Sequence, residues 1–160
     1  EMDRTLREID DLLPRIDQVD SVESLLGVEG NIARCYFSQV AAMLKPRGME
    51  AVWDFNARNR RPPKDPVNAM LSLAYSLLAK DCTLAAVAVG LDPYVGFYHQ
   101  PRFGRPSLAL DLMEEFRPLI AESVVITAIN NRQITATHFV QAGKAVNLSP
   151  SGRKVFFQVY

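Results

Sequence analysis

The sequence predicts an all-α fold, one helical domain over residues 1–160, and three observations carry the prediction. Apolar side chains recur at spacings of three and four in almost every segment. Prolines and glycines fall between those segments more than inside them. A chain of 160 residues, 48% hydrophobic and 22% charged, suits one ordinary core and is too short for two.

The elements follow in order. Residues 3–18 alternate charged and apolar positions as a lead-in helix, broken at Pro14, within a lead-in segment 1–20. Ser21 can cap a short turn through Leu26. From Val28 to Leu44, Ile32, Cys35, Tyr36, Val40, Met43 and Leu44 form one stripe, which Lys45-Pro46-Arg47-Gly48 should stop. Residues 45–64 read as an irregular basic loop ending in Arg58-Asn59-Arg60-Arg61-Pro62-Pro63-Lys64. Asp65 offers an N-cap oxygen and Pro66 takes the first helical position, where its missing N–H is harmless. Val67, Met70, Leu71, Ala74, Leu77 and Leu78 make the following helix apolar on most sides, as expected of a buried centre.

Asp81 through Val89 reads as a further helix stopping at Gly90. Residues 91–106 hold three prolines, two glycines and four aromatics without a period, and so predict a structured loop. Ser107 should cap a helix running to about Asn131, bent at Pro118. A weaker segment at 134–142, an extended piece at 145–148 and a helix opened by Ser149-Pro150 complete the chain. No internal repeat is visible. The close in RKVFFQVY, mid-helix, suggests a fragment of a longer protein.

Composition excludes several classes. The longest run without a charged residue, Pro66 to Ala79, is 14 residues, short of the roughly 18 of a membrane span. The start EMDRTLREIDD lacks the basic leader and apolar stretch of a secretory signal, so a cytoplasmic protein is expected. Two cysteines, Cys35 and Cys82, lie in apolar patterns and read as reduced core thiols. Net charge is zero, but residues 1–29 hold nine acidic and three basic side chains while residues 30–160 hold nine acidic and fifteen basic. The basic excess therefore belongs to the larger part of the chain.

The helix after Ser107 carries the richest chemistry. Leu108, Leu112, Met113, Phe116, Leu119 and Ile120 fall on one side; Asp111, Glu114 and Glu115 crowd the other. Alone, these acids also fit a solvated face near a helix start. His99, 12 residues before Asp111, lies in the loop that can fold over them. Two acids and an imidazole are a recurring ligand set for octahedral Mg²⁺ or Mn²⁺, though His99 also suits a partly buried structural histidine. Glu29 reads as a first-turn carboxylate beside Gly30, whose small size leaves room for close approach. His138 has no acidic neighbour and reads as structural. Arg58, Arg60, Arg61 and Lys64 share one loop, and Arg102, Arg105 and Arg117 flank the acids, where cations suit an anionic substrate. No phosphate-cradling glycine loop, GxSxG elbow or Cys/His nucleophile pair is present.

Taken together, VEGNIARCYF, FNARNRRPPKDPVNAMLSLAY, GLDPYVGFYHQPRFGRPSLALDLMEEFRP and SGRKVFFQVY resemble the C-terminal helical domain of the CRISPR-associated integrase, the universal endonuclease of spacer acquisition. The resemblance runs in order from about residue 20 to the end. It implies a helical catalytic domain that lacks the family's N-terminal β-rich domain. It also implies a DNA endonuclease and integrase joining 3′-hydroxyl ends to a target phosphodiester, with Glu29, His99 and Glu114 holding Mg²⁺ or Mn²⁺. Asp111 matches the other member of the acidic pair, and many relatives have aspartate where this chain has Glu114, so which acid lies closer to the metal stays open. Arg105, Ser107 and Arg117 match positions around that helix, and Arg58, Arg60, Arg61, Arg105 and Arg117 are the expected phosphate contacts. The implied partners are DNA with free 3′ ends or branches, a second copy of the chain, and a small ferredoxin-like CRISPR-associated protein. A transposon-borne integrase, a repair nuclease of the same family, and a non-catalytic helical DNA-binding module are the alternatives.

Overall fold

The computed structural model describes residues 2–45 and 50–160. Its α-helices are α1 (Met2–Leu12), α2 (Val22–Met43), α3 (Pro66–Ala88), α4 (Ser107–Phe116), α5 (Ser123–Asn130) and α6 (Pro150–Val159). One antiparallel hairpin, β1 (Phe139–Ala142) with β2 (Ala145–Leu148), pairs Phe139 with Leu148 and Ala142 with Ala145. The architecture is the helical one expected, with that two-stranded ribbon added.

Helix α3 is the centre. The Asp65 side chain accepts from the Asn68 N–H and Pro66 stands in the first turn, as expected. Val67, Met70, Leu71, Ala74 and Leu78 are buried against α4, α5 and β2, with Met113, Val125, Ile129 and Phe156 closing the core. By length and composition α3 could cross a membrane, against the expectation from charge spacing. Its packing is that of a core helix.

Two helical breaks expected from sequence are absent. Ser21 caps α2, accepting from the Ser24 N–H at 3.2 Å, and the helix runs on through Gly27 and Gly30 without interruption. Glycine costs a helix only about 1 kcal/mol, less than continuous packing returns. Asp81–Val89 likewise continues α3, which ends where Gly90 takes φ +82°. The expected stop, Lys45-Pro46-Arg47-Gly48, lies beyond Lys45 outside the described residues, and α2 ends at Met43 with Leu44 as its C-cap, as expected.

Pro14 sits inside a 3₁₀ turn, Leu13–Gln18, that follows α1. Pro118 sits in a π-helical turn, Arg117–Glu122, between α4 and α5. That wide turn absorbs the missing N–H. It also corrects the expected apolar face: Ala109 and Met113 are buried, whereas Leu112, Phe116 and Leu119 are exposed. Ser107 is not a cap; it is fully buried and its hydroxyl donates to the Gln100 carbonyl at 3.2 Å. The weak segment at 134–142 becomes a 3₁₀ turn and β1, because Gly143, at φ +60°, lets the chain reverse.

Single buried amides hold the irregular stretches. Asn68, fully buried, donates to Ala57 O and Asp65 and accepts from the Asn59 N–H and Arg58 Nη1. Its whole hydrogen-bonding capacity is used, and residues 57–59 are fixed on α3. Asn130 joins the ends of α2 and α5 by accepting from the Lys45 N–H and donating to Met43 O. Cys35 and Cys82 are both free thiols, but of the two Cys82 alone is buried; Cys35 is partly exposed on α2, not in the core as expected. His138 is structural, its Nδ1 accepting from the Thr135 N–H at 3.0 Å.

Candidate metal and nucleic-acid site

The site is built where the 91–106 loop lies on α4. Gly96 permits this: a Cβ there would stand 2.7 Å from the Ser107 backbone and 2.9 Å from Asp111 Oδ2. Asp111 then gathers the loop. Its carboxylate accepts from the N–H groups of Phe97 at 2.6 Å, Tyr98 at 3.0 Å and His99 at 2.8 Å, and meets His99 Nδ1 at 2.9 Å. Partial burial acts to raise its pKa, but these bonds, those from His99 first, hold it below the usual carboxylate range.

An ionised carboxylate only accepts, so the proton on His99 lies on Nδ1. In the neutral ring Nε2 then carries the lone pair, and that atom stands 4.0 Å from Glu114 Oε1. The two acids of α4 thus have different places: Asp111 is saturated by four donors, and Glu114 is the one whose oxygen faces the imidazole. Arg117 Nη1 holds the other Glu114 oxygen at 2.8 Å. Burial, opposed by Arg117 and aided by Glu29, pushes the Glu114 carboxyl above its ordinary pKa.

Glu29 enters from α2. It is not in a first turn, as expected, but two turns into the helix. Its Oε2 accepts from the Tyr98 hydroxyl at 2.9 Å, which links it to the residue beside His99. Glu29, Glu114, Tyr98, Arg60 and Arg117 line one cavity of about 690 Å³, whose remaining walls include Ile9, Leu25, Val28 and Ile32. Among the described residues no three acid, imidazole or thiol groups stand close enough to form a ready cluster. His99 contacts Asp111 and stands 4.0 Å from Glu114, while Glu29 is joined to this group through Tyr98.

Carboxylate oxygens and an imidazole nitrogen are donor types that a hard divalent cation takes, and Glu29 and Glu114 share a cavity with His99 Nε2 4.0 Å from Glu114. Glu29, His99 and Glu114 are the residues with atoms available for it, and Asp111 orients His99 from behind.

The arginines divide. Arg58 does not project into solvent: Asn68, Ser72 and the Asn59 carbonyl take its guanidinium, which stacks 5.2 Å from the Tyr75 ring. Burial, the largest influence on it, lowers its pKa. Arg105 is held by the Gln100 carbonyl and staples its own loop. Arg60 and Arg61 are exposed. Arg60, with Arg34 and Arg58, also lines a second groove of about 450 Å³ on the other side of Glu29, where Gly30 leaves open space. Arg117 lies 5.1 Å from the Tyr75 ring while it binds Glu114.

Sequence reasoning missed Tyr98, Tyr75, Tyr36 and Glu122. Tyr98 carried a signal as the neighbour of His99; Glu122 stood in the apolar run LIAESVV, where a lone acid asks for a buried partner.

The sequence profile described as "CRISPR associated protein Cas1" matches residues 1–160. A Cas4/Cas1 exonuclease–endonuclease fusion from Geobacter sulfurreducens is 53% identical over 94% of this chain and 27% of its own length. A CRISPR-associated endonuclease Cas1 from Thermus thermophilus is 50% identical over 77% of this chain and 36% of its own. Among solved structures, a Cas1 protein from Thermotoga maritima superposes with a TM-score of 0.86 at 28% identity, over 94% of this chain and 48% of that one. A casposase bound to an integration product gives 0.82 at 32% identity, over 93% and 42%. The chain therefore spans about a quarter to a half of the length of these relatives.

Proposed function

The chain belongs to the CRISPR-associated Cas1 family, and on that premise we propose that it is the helical catalytic domain of a metal-dependent DNA endonuclease and integrase, joining DNA 3′-hydroxyl ends to a target phosphodiester during spacer acquisition in the prokaryotic cytoplasm. The observation that carries the reading is the one cavity that Glu29, Glu114, Arg60 and Arg117 line together, with His99 Nε2 4.0 Å from Glu114 and the Tyr98 hydroxyl bonded to Glu29.

Glu29, His99 and Glu114 would hold Mg²⁺ or Mn²⁺. A divalent ion there supplies acidification of a hydroxyl and neutralisation of charge on a phosphodiester. The protein's own residues do the rest. Asp111 keeps the proton of His99 on Nδ1 and fixes the loop that carries it. Arg117 sets the direction of the Glu114 carboxylate. The exposed Arg60 and Arg61 position phosphates, contacts that give affinity without sequence readout. Arg58 and Arg105 support those loops from inside. The apolar walls contributed by α1 and α2 limit water. A second copy of the chain and a small ferredoxin-like partner complete the proposed assembly.

The test is half-site integration with Mn²⁺ on a branched or 3′-overhanging duplex. The chain should act and Glu29→Ala and His99→Ala should not; equal activity in variants and parent would discard this site. A chain that binds DNA yet never cleaves or joins it would be the non-catalytic module. The casposase likeness favours one second reading, a transposon-borne integrase with the same residues. Preference for transposon ends over a CRISPR leader and repeat would select it.

A further inference from the structure

The wall of the same cavity holds a group that this chemistry leaves unused. Glu122, 6% exposed in the π-helical turn, accepts from the Tyr75 hydroxyl at 2.5 Å. Tyr36 lines the same cavity, and its phenol is pushed above the ordinary range by burial and by this carboxylate. The Tyr75 ring in turn meets two guanidiniums, Arg117 at 5.1 Å and Arg58 at 5.2 Å. Arg117 closes the series with its 2.8 Å bond to Glu114, while its own Nε is buried without an acceptor.

We propose that Glu122 is a positioning residue for the Glu114 carboxylate, acting through Tyr75 and Arg117. Each link has a physical basis. The hydrogen bond from Tyr75 to the Glu122 carboxylate anchors the phenol oxygen, so the place of the ring beside Arg117 is set. The same hydrogen bond enriches the ring in electron density, which strengthens its hold on a cation at its face. Because Arg117 Nε has no acceptor, the ring contact and the Glu114 ion pair hold its guanidinium. With Arg117 set, one Glu114 oxygen is held by Nη1 and the other is left toward His99. The π-helical turn supplies the geometry, since its extra residue rotates Glu122 inward under Tyr75 while Arg117, at the start of the same turn, stays beside Glu114.

The inference rests on the metal-site reading for its consequence but not for its geometry, and the test separates them. In the metal-free chain, hydrogen exchange of the buried Arg117 Nε–H, assigned with Arg117→Lys, should quicken at least about fivefold in Tyr75→Phe and in Glu122→Ala. Mn²⁺ affinity should fall about tenfold in each, the usual scale for groups behind a ligand. The double variant should be no weaker than either single one, because one pathway is broken once. Glu122→Gln, which still accepts from the phenol, should stay within about twofold of the parent. Additive losses, unchanged exchange in folded variants, or a glutamine variant as impaired as alanine would overturn the proposal. If Glu122→Ala does not fold, Tyr75→Phe decides alone. A parent chain that binds no Mn²⁺ would sink the metal reading and leave Arg117 exchange to judge the positioning.

Discussion

The two long irregular stretches, 56–64 and 91–106, look alike in sequence, both rich in proline and arginine, yet they are held in opposite ways. In the first, a neutral and fully buried amide, Asn68, donates to Ala57 and Asp65 and accepts from Arg58 and Asn59. In the second, a carboxylate near the cavity rim, Asp111, accepts only, from three successive backbone N–H groups and the His99 ring. The amide serves stability. The carboxylate also selects which nitrogen of His99 carries the proton, so its loop is held and tuned by one group. A clamp meant only to hold can be neutral and deep; one that must bias a neighbour's protonation keeps its charge and sits beside that neighbour.

Substitutions sharpen the contrast. The largest effect is expected at the cavity itself: His99→Ala or Glu29→Ala should lower integration about a hundredfold or more while leaving the melting temperature within a few degrees, since neither is a core side chain. Retained activity in His99→Ala would remove the imidazole from the site. Asp111→Ala comes next, with Mn²⁺ affinity reduced about ten- to a hundredfold and amide exchange of 97–99 accelerated. If exchange there stays slow, Asp111 is not the clamp.

Asn68→Ala should do the reverse, costing about 2–4 kcal/mol of stability by leaving several buried donors and acceptors unpaired, with Mn²⁺ affinity of the folded fraction unchanged. Denaturant titration and calorimetry of the same sample measure both. The smallest expected change separates two arginines of one loop. Arg60→Ala should weaken DNA binding and reduce its salt slope by about one with stability intact, whereas Arg58→Ala should lower stability. A common phenotype would mean that the loop acts as one body.

Much of this was legible before any coordinates. Asp65-Pro66 announced the start of α3 and Ser149-Pro150 that of α6, because a cap oxygen and a fixed φ act within a few residues. Glu29, His99, Asp111 and Glu114 stood out as residue types matching a known pattern. What was misread depended on distant partners. The step from Leu26 to Val28 looked like a helix boundary, but packing carried α2 through it. Ser107 looked like a cap and proved to be a buried donor to the loop above it. Asp111 and Glu114 are near neighbours on one helix, and nothing in their spacing reveals that one is saturated while the other faces the imidazole.

By itself, then, the sequence determined the helical class, most element boundaries and the kinds of atoms available for chemistry, since periodicity, capping and side-chain type are local properties. Only the tertiary structure decided what each of those atoms does. Whether Arg58 reaches outward or packs on Tyr75, which oxygen of Glu114 stays accessible, and where the His99 proton rests follow from contacts between segments tens of residues apart, and such contacts exist only once the core has closed.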